Sequence, residues 1–391
     1  MSKKISVIIP IYKGNSFIPN LTYMLEENWR IANKTETVDI EMILVNDFPT
    51  EKLEIKKQWV QNISYIEISN IQNCGIHFSR VQGLLQSSGD YILFLDQDDR
   101  ISPIYIREQM AALGDADAII CNGKNLNSLV YTSSEDLSKA VDEKEYREGT
   151  NWIVSPGQVI LKKAAIPKEW IDNILLKNGA DDYFLWILML CKNKKMMIHN
   201  KVLYWHFISD INTSKNIDEM DNSVFEMLSK MRDLGYLSLE EAKYIKKIRN
   251  SSKEPEILSD EKYRKERTYK QILEMWMTLR DRKIMVTTFF NKMGIKRVAI
   301  YGGGILGKHL YYELSGTDIE IVCFLDQNKK VNISGVKTII PGELIGDVDV
   351  IVITPIMEYE KIRDALRGQY HVDMISLETV IYNADCELMK E

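Results

Sequence analysis

The residues best placed to do chemistry lie where short apolar runs end in carboxylates. Tyr91-Ile92-Leu93-Phe94-Leu95 leads directly into Asp96-Gln97-Asp98-Asp99, three acids within four residues. Like charges that close are costly to desolvate without a partner. Such a cluster suits a hard divalent cation, Mn²⁺ or Mg²⁺, which takes carboxylate oxygens and keeps positions open for phosphate. The plainer alternative is an acidic turn, with Asp99 capping a helix that starts near Ser102-Pro103. Asp47 closes another apolar run, and Asp181-Asp182 opens the apolar segment Tyr183-Phe184-Leu185-Trp186. Two carboxylates there are also simple partners for a helix dipole.

The flanking segments indicate what positions these acids. Ile5-Ser6-Val7-Ile8-Ile9-Pro10-Ile11-Tyr12 lacks polar alternation and predicts a strand buried on both faces. Helical spacing follows from Ser16 to Ala32. Asp39 to Asp47 and Ile63 to Ile68 predict two further strands, and a helix runs from about Ile76 to Ser87. Strand and helix alternate, and polar residues gather at the strand C-termini. In open α/β sheets that edge is where ligands bind.

In this order and spacing, several segments resemble family 2 glycosyltransferases of the GT-A fold. They are Val7-Ile8-Ile9-Pro10-Ile11-Tyr12, Ile43-Leu44-Val45-Asn46-Asp47, Asn73-Cys74-Gly75-Ile76 with Ser79-Arg80, Gly89-Asp90-Tyr91, Phe94 to Asp99 and Gly179 to Leu185. The resemblance covers residues 1–215. Lys13, Asn46 and Phe48-Pro49 depart from the family's usual Asn, Asp and Gly-Ser, and they fall around the expected nucleobase pocket. The resemblance implies an inverting transfer of a sugar from a nucleoside diphosphate sugar, a UDP-sugar first, with Mn²⁺ or Mg²⁺ as cofactor. The acceptor would be a hydroxyl on a glycan, a lipid-linked or a protein-linked molecule, in bacterial surface glycan synthesis.

The same resemblance assigns roles to residues. Asp98 becomes the direct metal ligand, and Asp96 sits nearer the ribose or a metal-bound water. Asp47 faces the nucleobase, Arg80 the base or diphosphate, and Pro10 and Tyr12 line the nucleotide pocket. Asp182 is the general base, with Asp181 the second candidate. His206 in Leu203-Tyr204-Trp205-His206 ligates the metal or touches the diphosphate. Asn151 to Gln158 is the acceptor region, where Trp152 offers a stacking face. Each has an ordinary alternative: a surface ion pair for Arg80, core packing for Tyr12 and Trp152, a structural hydrogen bond for His206.

The remaining sequence predicts a helical connector over 216–292, including a long charged helix from Asp260 to about Asn291. Its role is packing on its neighbours, or acceptor binding or homo-oligomer formation through an exposed amphipathic face. Residues 293–391 restart an α/β pattern that predicts a small Rossmann-like domain. Arg297 to Tyr301 feeds Gly302-Gly303-Gly304-Ile305-Leu306-Gly307, with Gly302, Gly304 and Gly307 at G-x-G-x-x-G offsets. Asp326 ends the next strand, where a ribose-binding acid would sit. The readings here are a second nucleotide site, a plain scaffold, or an NAD(P)-linked oxidoreductase. A non-catalytic sugar-nucleotide sensor is the remaining rival.

Composition fits an enzyme working in the cytoplasm, at most on the inner face of a membrane. Of 391 residues, 45% are hydrophobic, ample for buried cores, and the net charge of -6 leaves no basic surplus for nucleic acid. The start of the chain does not read as a signal peptide, and Tyr183 to Cys191 is too short to span a bilayer. Cys74, Cys121, Cys191, Cys323 and Cys386 show no metal-ligand spacing and fit a reducing compartment.

Overall fold

The computed structural model describes residues 3–125, 128–206, 217–251, 261–327 and 335–385; Cys386 lies outside them. The chain forms two compact units, Met1–Pro255 and Glu256–Glu391.

The first unit is built on a mixed nine-stranded sheet. Its strands are β1 (Lys3–Ile11), β2 (Val38–Asn46), β3 (Ser64–Ser69), β4 (Tyr91–Phe94), β5 (Arg100–Ile101), β6 (Ala118–Asn125), β7 (Ser128–Leu129), β8 (Val159–Lys162) and β9 (Met196–His206). They lie in the order β3-β2-β1-β4-β8-β6-β9-β5, with β7 paired to β6. The first four are parallel, and Ile8 in β1 stands opposite Ile43 and Phe94. β8 runs antiparallel between β4 and β6, β9 parallel to β6, and β5 antiparallel to β9.

The apolar run at residues 7–11 of β1 follows from cores on both faces. Ile5, Val7 and Ile9 pack with Leu21 and Leu25 of the Ile18–Ala32 helix and Ile106 of the Tyr105–Leu113 helix. Ile8 packs on the other side with Val81 and Leu84 of the Ile76–Gln86 helix. Burying each such aliphatic side chain contributes about 1.5–3 kcal/mol. The Asp181–Cys191 helix belongs to that second core, with Tyr183 through Leu190 all buried. Its apolar run is therefore a core helix, and no helix among the described residues is long and apolar enough to cross a membrane.

A polar knot fixes β1 against β2 and the turn before β4. Ser6 Oγ donates to Glu41 Oε2 at 2.6 Å, and Ser88 donates to the same carboxylate from both its backbone N and its Oγ. Burial pushes the Glu41 pKa up, but these donors and Lys4 outweigh it and hold the carboxyl at about 2. Gly89 must be glycine here, because a Cβ would come within 2.7 Å of Ser6 N and Oγ.

The helical residues after 216 are shared between the units. The Ile217–Asp233 and Leu239–Ser251 helices bury Met227, Leu228, Met231 and Ile245 in the first unit's core. Glu261–Asp281 and Thr287–Lys292 lie in the second unit. The single long helix expected up to Asn291 stops at Asp281. Lys283 adopts φ +58° there and Ile284 N donates to Leu279 O at 2.9 Å, a left-handed helix ending. The second unit carries a parallel five-stranded sheet of β10 (Arg297–Tyr301), β11 (Glu320–Leu325), β12 (Thr338–Ile339), β13 (Val350–Ile353) and β14 (Asp373–Ser376). Its order is β12-β11-β10-β13-β14.

Candidate active site

A cleft of about 550 Å³ opens at the C-terminal ends of β1, β2 and β4. Pro10, Tyr12, Asp47, Arg80, Asp96, Asp98, Asp181, Asp182 and His206 all line it. Trp152 does not. Its indole N–H donates to Glu145 Oε2 at 2.8 Å, and the Lys139 ammonium lies 4.7 Å from its ring. Two residues further on, Val154, Ser155 and Pro156 form the cleft wall instead.

The turn before the Ile76–Gln86 helix is organised by Asp47. Its carboxylate accepts from Asn70 Nδ2 at 2.8 Å, Cys74 N at 2.7 Å and Gly75 N at 2.9 Å. Gly75 turns the chain with φ +87°. One turn into that helix stands Arg80, only 3% exposed. Its Nη1 donates to Asp181 Oδ2 at 2.5 Å and its Nη2 pairs with Asp96. Burial alone would lower the Arg80 pKa, but Asp181 and Asp96 raise it, so the guanidinium stays charged. Burial raises the Asp96 pKa against the pull of Arg80.

Asp182 has different surroundings from Asp181. Its Oδ2 accepts from Asn151 Nδ2 at 3.1 Å and its Oδ1 from the Tyr183 backbone N–H at 2.7 Å. Burial, and then the neighbouring Asp181 carboxylate, push its pKa up to about 7. Of the two acids, Asp181 is the ion-pair partner and Asp182 is poised to exchange a proton near neutrality.

His206 ends β9 and is held by Asp99, which is fully buried. His206 Nδ1 lies 3.0 Å from Asp99 Oδ1, while Ser155 Oγ at 2.9 Å and the Tyr204 hydroxyl donate to Asp99 Oδ2. Burial lowers the His206 pKa, but Asp99 more than reverses this and brings it to about 9. Asp99 therefore caps no helix. The Tyr105–Leu113 helix begins after Ile104 with no side-chain cap. Sequence reasoning missed this role for Asp99, together with Tyr204, Ser155 and Asn151. One signal was present: Tyr204 and His206 are two apart, which puts them on one face of a strand.

Among the described residues, no group of three His, Cys, Asp or Glu side chains forms a ready metal cage. Of the clustered acids, Asp96 and Asp98 line the cleft, and His206, its pKa raised to about 9, stands beside them as an imidazolium, which suits a diphosphate oxygen and ligates a metal only after losing its proton. Mg²⁺-type sites commonly use one or two protein ligands and take the rest from substrate phosphate and water. The donor set fits an ion that arrives with a diphosphate.

In the second unit, Gly302 takes φ +95° and Gly302, Gly304 and Gly307 lead into the Ile305–Leu314 helix. A side chain at Gly307 would strike the Gly302 carbonyl. Asp326, just past β11, accepts from Gly303 N at 2.7 Å and so anchors the loop.

Residues 6–149 match the family model described as Glycosyl transferase family 2, so this stretch is a domain of that family. The mixed sheet around it has a GT-A-like α/β fold. Curated relatives include the uncharacterized glycosyltransferase YibD of Escherichia coli K12, 29% identical over 125 residues, 31% of this chain and 34% of that protein. Another is the poly(ribitol-phosphate) beta-N-acetylglucosaminyltransferase TarS of Staphylococcus aureus Mu50, 24% identical over 213 residues, 52% of this chain and 35% of that protein. The chain thus spans about a third of the length of these relatives. A crystal structure of S. aureus TarS 1–349 with UDP aligns with a TM-score of 0.41 at 19% identity, over 62% of this chain and 68% of that one.

Proposed function

We propose that the Met1–Pro255 unit is an inverting, metal-dependent glycosyltransferase. It moves a sugar from a UDP-sugar to a hydroxyl of a glycan, lipid-linked or protein-linked acceptor in bacterial surface glycan synthesis, on the cytoplasmic side. One observation carries this reading. A single cleft holds a carboxylate with a pKa near 7, Asp182, apart from an acidic wall at Asp96 and Asp98, with Arg80 buried between them.

In this scheme the acceptor hydroxyl gives its proton to Asp182 as its oxygen attacks the anomeric carbon, and the bond to the diphosphate breaks on the opposite face. Asn151 keeps the Asp182 carboxylate oriented. Of the residues lining the cleft, Asp47 and Tyr12 would take the nucleobase and Asp98 and His206 the diphosphate. A bound divalent ion would neutralise charge on the leaving diphosphate. Inversion of an α-linked donor gives a β-linked product, and the relative TarS is named for a β-linkage.

The test is a calorimetric and turnover comparison of two variants. Asp182→Asn is expected to keep UDP–Mn²⁺ binding within about threefold and to lose transfer by at least ~100-fold, the usual scale for removing a general base. Asp98→Ala is expected to lose both. Full transfer by Asp182→Asn removes that residue as the base. A second reading places the function at the Gly302–Gly307 loop, favoured by its left-handed glycine and its anchoring acid. A thermal shift with NAD(P) and none with any nucleoside diphosphate would select it.

A further inference from the structure

We propose that Gln97 is a positioning residue that locks the nucleobase wall of the cleft to its acidic wall, so that nucleoside and diphosphate are gripped as one unit. The inference rests on the donor-site reading above and assigns a job to the residue between Asp96 and Asp98.

The Gln97 side chain pairs with a peptide instead of a ligand. Its Oε1 accepts from Tyr12 N at 3.0 Å and its Nε2 donates to Tyr12 O at 3.1 Å. This closed pair of bonds continues the strand pairing past the end of the ladder. β1 and β4 are matched through Ile8 and Phe94, and Leu95 N donates to Ile8 O at 3.0 Å. Beyond that point a side-chain amide takes the place of the neighbouring backbone. A primary amide of this length offers both a donor and an acceptor. Glutamate offers acceptors only, leucine neither, and asparagine is one methylene shorter.

The segment facing Gln97 is shaped around it. Lys13 turns the chain with φ +51°, and a side chain at Gly14 would overlap the Gln97 amide. Gly14 itself has φ -114°, an ordinary value, so room for Gln97 explains the glycine. The held peptide carries the Tyr12 ring, which meets Phe48 edge-on at 5.4 Å, with Lys13 Nζ 5.1 Å from the Phe48 ring. Asp47 N donates to Ile11 O at 2.8 Å and ties the end of β2 to the same corner. Gln97 thus joins the ends of three strands: two bear the aromatic wall and Asp47, and the third bears the acids.

The test is isothermal titration of UDP and of uridine, each with and without Mn²⁺, into the full-length protein and its Gln97→Leu and Gly14→Ala variants. Both variants are expected to bind UDP with Mn²⁺ about tenfold more weakly, the effect of losing two ordinary hydrogen bonds. Uridine, which has no phosphate to reach Asp98, is expected to weaken at least about threefold in both, since the base wall itself has lost its anchor. A merely structural role would lower the melting temperature and leave both dissociation constants of the folded fraction unchanged. UDP and uridine constants within twofold of wild type in both variants overturn this inference alone. Wild-type protein that binds no UDP overturns the donor-site reading, and this inference with it.

Discussion

Asp181 and Asp182 are adjacent on one helix turn, yet Arg80 gives them different chemistry. Asp181 is committed to a buried ion pair with Arg80. Asp182 accepts from an amide and a backbone N–H, and its pKa of about 7 reflects burial beside a second acid. A general base works when deprotonated. Transfer at subsaturating donor and acceptor is therefore expected to rise about tenfold per pH unit up to about pH 7 and to level off above it. A pH–rate profile checks this, and Asp182→Asn should remove the limb from whatever rate remains. A wild-type profile flat from pH 5 to 8 would take the proton transfer away from Asp182. The resemblance ranks Asp182 ahead of Asp181, but the ion pair that separates them is invisible in the sequence. Asp-Asp reads the same whichever carboxylate the arginine takes, and Arg80 lies 101 residues away.

The strands and helices carry the more legible information, for physical reasons. β1, β2 and β4 are covered on both faces, so residues 7–11, 42–45 and 92–95 read as continuous apolar runs. β5 and β8 are too short to show a period, and long-range pairing with β9, β4 and β6 creates them. β9 mixes Lys, Asn and His with apolar residues, so the strand that delivers His206 left only a weak trace.

The Ile76–Gln86 helix is pinned by a side chain with a testable signature. His77 is 1% exposed. Its Nδ1 accepts from Leu175 N at 2.9 Å, so its Nε2–H points to Trp170 O at 3.1 Å. Burial lowers its pKa from 6.5 to about 4, with Arg80 adding to the effect and Asp181 opposing it. The unfolded chain takes up this proton below pH 6.5, and the folded protein does so only near pH 4. The His77 share of stability is therefore fully present above pH 6.5 and falls across that window, with about 2 kcal/mol of loss by pH 5, while Asp182, raised to about 7, shifts stability the opposite way over the same range. Urea melts of wild type and His77→Gln at pH 7 and pH 5 isolate that share. The stability change from pH 7 to pH 5 should be less favourable in wild type than in His77→Gln by about 2 kcal/mol, and an equal change in both would assign the acid sensitivity elsewhere. Glu41, held at about 2, contributes only at lower pH.

Each unit has its own sheet and its own core. In the first, one core cluster runs from Ile8 and Phe94 through Trp186 to Met231 and Ile245. In the second, Ala299, Leu325, Ile351 and Tyr359 pack together around a separate parallel sheet. Among the described residues, those lining the cleft all lie before position 221, and the last two, Glu219 and Met220, begin a helix that belongs to the first unit. The Ile217–Asp233 and Leu239–Ser251 helices are thus part of the machinery that seats the cleft. Ser223 Oγ accepts from Ala180 N at 3.1 Å, directly before Asp181, and so steadies the start of the helix bearing both acids. A truncation at residue 215 would remove this support and expose the apolar faces around Met227 and Ile245. The protein cut after Pro255 is expected to stay folded and to bind UDP with Mn²⁺ within about twofold of the full chain. The protein cut at residue 215 is expected to aggregate or to lose that binding by at least tenfold, in keeping with the loss of several buried apolar side chains at about 2–5 kcal/mol each. Circular dichroism melts and calorimetric titration of the two truncations make the comparison. Tenfold weaker binding in a well-folded 1–255 protein would instead give residues 256–391 a share in donor recognition.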